Sequence, residues 1–176
     1  GGAWTSEGTY TAPDDLQTDF TITLNNAFDE DKAELFIAGN CAQTSSVGQD
    51  WTWRINGITS GDYADSKVES DNGGSITTGA HSNANEFNLS NQYNPDYASF
   101  RIWAYVTQDE SDNLIPHGWY NFEGSGANYS KFDNTRYGAF HREVETTTIT
   151  SLTFFMSGSG KFRTGCTASV WSLAKS

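Results

Sequence analysis

Thr146-Thr-Thr-Ile-Thr-Ser-Leu-Thr-Phe-Phe-Met156, Ser157-Gly-Ser-Gly160 and Lys161-Phe-Arg-Thr-Gly-Cys-Thr-Ala-Ser-Val-Trp-Ser-Leu173 make up the stretch whose reading decides the fold. In the first run Thr148, Thr150, Leu152, Phe154 and Met156 fall on one face, and Ile149, Ser151, Thr153 and Phe155 on the other. That is the period of two expected of a strand, in a run rich in β-branched and aromatic residues. The Gly/Ser turn and the second run predict the returning arm of a hairpin. So apolar a hairpin cannot stand alone in water, so strands earlier in the chain must supply the surface it packs on. The C-terminal stretch is therefore expected to close the fold.

Working outward, 176 residues suffice for one sizeable core and are few for two. Ser, Thr and Asn contribute 19, 20 and 14 residues against 10 of Lys plus Arg, a balance typical of sandwiches with polar outer faces. Long helical periodicity is absent. The sequence predicts an all-β protein, a single jelly-roll-like antiparallel β-sandwich over residues 16–176, with an N-terminal arm at 1–15 anchored only by Trp4 and Tyr10. Gly1 in place of Met reads as a processed or truncated start.

Between the arm and the closing stretch, Asp19–Leu24 and Ala33–Ala38 alternate as two strands of a hairpin or meander around the acidic turn Asn25–Lys32. Asp50–Asn56 is a strand with Trp51, Trp53 and Ile55 on one face, and Asn56-Gly57 ends it as a turn. Residues 57–85 are polar and Gly-rich and predict a long exposed loop with one short strand near Ser75–Thr78. Glu86–Leu89, Tyr97–Val106, His117–Phe122 and Tyr137–Glu145 complete nine or ten strands. Tyr97–Val106 is apolar on both faces: Phe100, Ile102, Ala104 and Val106 on one, Trp103 and Tyr105 on the other.

The closing stretch also carries a resemblance. Ile149-Thr-Ser-Leu-Thr-Phe154, the Gly/Ser turn, Phe162-Arg-Thr-Gly165 and Ser169-Val-Trp-Ser-Leu173 resemble the closing hairpin of single-jelly-roll modules in virion structural proteins of tailed bacteriophages. The family ending reads Gly-small-x-Leu-Tyr-Gly-Leu or Ile, and here Trp171 stands for Tyr and Ser172 for Gly. A strand ending in Asn56 with Tyr63 several residues on is similar too, and the resemblance spans Asp19 to Leu173. It implies a non-enzymatic component of the virion surface, a capsid decoration (cement) protein or a tail-tip or fibre receptor-binding module. It further implies a homotrimer whose partners are other virion proteins, the major capsid protein or tail proteins, with a host surface glycan as a further partner. A start so close to the first strand favours decoration over a fibre tip. The alternatives from other classes are a carbohydrate-binding module and a small glycan hydrolase.

The formal charge of −12 disfavours nucleic acid and anionic membranes, which would repel the chain. No apolar run long enough for a membrane span is visible, so no membrane insertion is expected. Cys41 and Cys166 lack metal-ligand spacing and are too few for a disulfide framework, and both are expected to be buried thiols. His81, His117 and His141 show no ligand spacing, and neither a nucleophile elbow nor a phosphate loop is present, so no catalytic, cofactor or metal residue is assigned. The acidic tips Asp29–Asp31 and Asp109–Asn113 offer hard oxygen ligands without EF-hand spacing and read as solvated turns, with calcium binding as the alternative.

The aromatic residues carry the remaining expectations. Trp103 and Tyr105 face away from an aliphatic core face, and with Trp4 they are the expected interface. Trp119, Tyr120 and Tyr129 lie near polar loops and are the expected ligand-facing rings.

Overall fold

The computed structural model describes residues 2–45, 48–59, 61, 63–70, 76–92, 97–108, 110, 114–124, 134–142, 148–156 and 158–175. Twelve strands run through them: β1 (Trp4–Thr11), β2 (Asp19–Phe28), β3 (Lys32–Ala42), β4 (Gln49–Ile55), β5 (Tyr63–Ser70), β6 (Ile76–Ala84), β7 (Phe87–Gln92), β8 (Tyr97–Gln108), β9 (Leu114–Gly124), β10 (Asn134–Arg142), β11 (Ile149–Met156) and β12 (Thr167–Ala174). They form an antiparallel, jelly-roll-like sandwich. A large sheet in the order β1-β12-β3-β8-β9-β10-β5-β6 faces a small one in the order β2-β11-β4-β7.

The alternation expected from the sequence fills the space between the sheets. Phe20, Ile22, Leu24, Trp51, Trp53, Leu152 and Phe154 from the small sheet meet Leu35, Ile37, Phe100, Ile102, Tyr120 and Phe122 from the large one. Phe100 finds its place because Gly39 opposite carries no side chain; a Cβ there would lie 2.1 Å from the ring. In β11 a register shift between Ile149 and Ser151 turns Ile149 from its expected outer position into the core, where it is fully buried.

Several connections differ from the sequence reading. The two closing runs are strands, but not arms of one hairpin: β11 pairs with β2 and β4 in the small sheet, and β12 with β1 and β3 in the large one. The turn between them crosses the sandwich. Gly158 adopts φ +68°, and the Gly160 N–H donates to Gln49 Oε1 at 3.0 Å. Phe162 then plugs the end of the core against Phe20 and Trp51. Likewise β2 and β3 part into different sheets across Asp29–Asp31. The reason is common to both: an alternating run needs a core on one side only, and either sheet supplies it.

The N-terminal segment is not an arm over the sandwich, because Trp4–Thr11 is an edge strand in register with β12. Its bulge turns Glu7 inward, where the carboxylate accepts hydrogen bonds from Ser172 Oγ, Asn26 N at 2.9 Å and Asn26 Nδ2 at 3.1 Å. Burial opposes its charge, but these bonds outweigh that and hold its pKa below the usual glutamate range. The expected loop at 57–85 contains the hairpin β5–β6. Its polar residues line a sheet whose outer face meets water, which made the alternation hard to see.

Cys41 and Cys166 form a disulfide, with Sγ atoms 2.01 Å and Cα atoms 4.3 Å apart, so the expected thiols are corrected. Residues 125 apart in sequence meet because Cys41 lies one residue before the end of β3 and Cys166 leads into its neighbour β12. Asn56 and Tyr63, which carry part of the family resemblance, serve the fold. Asn56 at φ 52° accepts from Thr150 N at 2.8 Å and donates to Thr148 O, and the Tyr63 hydroxyl donates to Ile58 O at 2.9 Å.

Candidate functional site

The outer face of the large sheet is where this chain departs from a plain sandwich. Trp171 on β12 stands opposite Phe36 on β3, Phe36 opposite Trp103 on β8, and Trp103 opposite Trp119 on β9. Four aromatic rings therefore cross four adjacent strands in one row. Trp103 and Trp119 stack at 3.7 Å and 16°, Phe36 lies 5.0 Å from Trp103 and 5.6 Å from Trp171, and Trp4 meets Phe36 edge-on at 6.2 Å. Tyr105 sits in the next row, 6.2 Å from His117. Each such pair is worth about 0.5–1.5 kcal/mol beyond its buried area, so the cluster is held together by its own ring contacts.

Beyond Trp119 the same row continues through Ala139, Ser66 and Ala80 on β10, β5 and β6. Small side chains there leave a groove of about 660 Å³, walled by Trp119, Tyr137 and Val68. Among the described residues six large hydrophobic ones are exposed, and five of them (Trp4, Val68, Ile76, Trp119 and Tyr137) stand on this face, Leu16 being the sixth. Together they make an exposed apolar patch on this face.

The structure brings Trp103, Tyr105 and Trp4 together on this face, and places Trp119 at 42% exposure beside the groove. Tyr120 is a correction. Adjacent to Trp119 in a strand, it must point the opposite way; it is 1% exposed in the core, and burial pushes its hydroxyl pKa well up, which keeps it neutral. Its ring occupies space left by Gly138, whose Cβ would lie 2.3 Å away. Tyr129 lies outside the described residues. Sequence reasoning missed Phe36, Trp171 and Tyr137. Phe36 and Trp171 carry the same signal as Trp103, an aromatic residue between two core-facing ones (Leu35 and Ile37, Val170 and Ser172). His117 and His141 face each other across β9 and β10, a pairing no local spacing announces.

A second constellation lies on the inner face under β5, β6 and β10. Arg136, 3% exposed, donates to both oxygens of Glu69 at 3.0 Å and to Asn88 Oδ1 at 2.7 Å. Lys67 also pairs with Glu69 at 2.9 Å, and Asp65 meets His81 Nδ1 at 2.9 Å and Asn88 N at 3.0 Å. Burial disfavours the Glu69 charge, but Lys67 and Arg136 prevail and hold its pKa low. These carboxylates are committed to partners within the fold. Among the described residues no group of three His, Cys, Asp or Glu side chains could hold a metal ion. Of the acidic tips, Asp29–Asp31 forms a turn in which Asp29 Oδ1 accepts from Asp31 N, and 109 and 111–113 lie outside the described residues.

No family model matches this chain, and no curated protein matches it in sequence. Among solved structures, the alginate lyase Aly36B in complex with alginate tetrasaccharide superposes over 89% of this chain and 80% of its own, with a TM-score of 0.31 at 8% identity. The carbohydrate-binding module CBM66 from Bacillus subtilis superposes over 92% of each chain, with a TM-score of 0.26 at 9% identity. At these scores neither similarity bears on what this chain does.

Proposed function

We propose that this chain is a non-enzymatic structural protein of a tailed-bacteriophage virion, a decoration protein of the particle surface that works as a homotrimer. The observation that supports the reading best is the aromatic row Trp171–Phe36–Trp103–Trp119, flanked by Trp4 and Tyr105, on a sheet face that no other element of the described chain covers. An aromatic anchor of this kind commonly contributes about 2 kcal/mol or more to association. The resemblance of the closing stretch to phage jelly-roll modules supports the virion setting. The committed state of the inner carboxylates favours a binding role over catalysis.

Each subunit carries a net charge of −12, so copies repel one another at long range and contact must be made by apolar surface. Association should therefore strengthen as salt screens that repulsion. Light scattering at low and moderate salt is the test, on the parent and on Trp103→Ala with Tyr105→Ser. A trimer that dissociates in the double variant, together with antibody labelling of purified particles, is the expected result. A parent that is monomeric throughout, or a double variant that keeps its assembly, overturns it. The groove beyond Trp119 favours a second reading, a receptor-binding module at a tail tip.

A further inference from the structure

We infer that the groove between Trp119 and Tyr137 is a binding site for an uncharged oligosaccharide chain. This rests on the reading of the outer sheet face as the working surface, and assigns the half that the aromatic cluster leaves open. The geometry of Trp119 is the first ground. Trp103, its neighbour on β8, stacks on it at 3.7 Å and 16°, so one face of the indole is taken and the other is turned toward Ala139 on β10. A flat ring fixed by its neighbour forms one wall, and Tyr137, 53% exposed, another. Rings held in place before binding lose little freedom on contact, and the aliphatic faces of sugar rings are the partners such surfaces stack with.

The floor is the second ground. Ala139, Ser66 and Ala80 follow one another in register across β10, β5 and β6, so the floor of the trough extends over two strand spacings, about 10 Å. That length suits a short chain of rings better than a single small molecule. The one charged residue lining it, Lys67, turns its ammonium to Glu69 on the inner face. In a chain of net charge −12 this trough carries no carboxylate, which suits a ligand without charge.

Hydrogen bonding separates a sugar from a peptide. The middle of the groove runs over β10 and β5, whose backbone groups are consumed on both sides by the ladders β9–β10, β10–β5 and β5–β6, and only β6, at the end of the sheet, is laddered on one side. An extended peptide, which binds by adding a strand to a free edge, finds no backbone partner over β10 and β5, and pairing along the outer edge of β6 would leave the Trp119 wall untouched. Side-chain groups are what the site offers: the Ser66 and Thr78 hydroxyls along the trough.

The test is an array of immobilised neutral oligosaccharides of varied linkage, with acidic oligosaccharides and an apolar hexapeptide as comparators, followed by tryptophan-fluorescence titration of the best binder. Variants Tyr137→Ala, which removes a wall, and Ala139→Leu, which fills the floor, change only solvent-facing atoms; near-ultraviolet circular dichroism checks their fold. Saturable binding of a neutral chain, weakened about ten-fold (about 1.4 kcal/mol) in each variant, is expected. No binding to any neutral chain, preference for an acidic chain or the peptide, or affinity unchanged in both variants overturns it. Light scattering on the same variants separates this from the assembly reading. Intact trimers that bind no sugar leave the virion interface standing, and monomers that bind sugar remove that interface while keeping the groove.

Discussion

The two faces of the large sheet are built from the same strands, yet they obey different rules. On the inner face Phe100, Ile102 and Ala104 of β8 meet the small sheet and are almost fully buried. On the outer face Trp103 and Tyr105 of the same strand lie against neighbouring rings and half meet water. Along the sheet both faces change character near β10. The inner one passes from aromatic to charged, with Arg136, Asp65 and Glu69, and the outer one from stacked rings to the small residues of the groove. The small sheet ends at β7, so the apolar core ends there too, and charges beyond it must pair among themselves. The difference teaches that burial on one face is set by the opposing sheet, whereas the rings of the other face meet, among the described residues, only one another and water.

This contrast predicts that inner-face changes cost folding and outer-face changes cost association. The largest loss should follow removal of the covalent tie at the core end of β3. Cys41→Ala with Cys166→Ala opens a loop of 125 residues and should lower unfolding free energy by about 4–5 kcal/mol in the chain-entropy account, read by denaturant titration with and without reductant. An unchanged midpoint would show that the sandwich needs no such tie.

Arg136→Met comes next, at about 3 kcal/mol, because it leaves the Glu69 carboxylate facing a core edge with only Lys67. Glu69 and Glu7 both have folded pKa values below their unfolded ones. The stability they contribute is therefore present above the ordinary glutamate pKa of about 4.3 and lost as pH falls through the folded values. Thermal unfolding followed from pH 7 downward should show a fall in midpoint below that point, shallower in Arg136→Met.

Gly39→Val should cost about 2 kcal/mol by driving a side chain into the Phe100 ring, an overpacking effect visible as a lower unfolding midpoint with the slope unchanged. Smallest for folding is Tyr105→Ser on the outer face, expected to shift stability by less than about 1 kcal/mol while weakening association in sedimentation equilibrium. A large folding loss from this change would erase the distinction between the two faces.

The sequence by itself determined the strands with clear alternation and the residues that share a face within each. Phe20, Ile22 and Leu24, the pair Trp51 and Trp53, and the opposition of Trp103 and Tyr105 to Phe100 and Ile102 all stand as the alternation places them. A period of two is a local property of the backbone, readable wherever one face is buried. Only the tertiary structure decided which strands pair and which sheet each joins, because β11 and β12 satisfy their apolar faces equally well as a hairpin or from opposite sides of one core. The same global choice brought Cys41 to Cys166 across 125 residues. It turned Tyr120 inward and Trp119 outward, since alternation separates neighbours but does not say which side is inside. The groove was illegible for the same reason: Ala139, Ser66, Ala80 and Trp119 come from four strands, and only the register of long-range pairing sets them in one row.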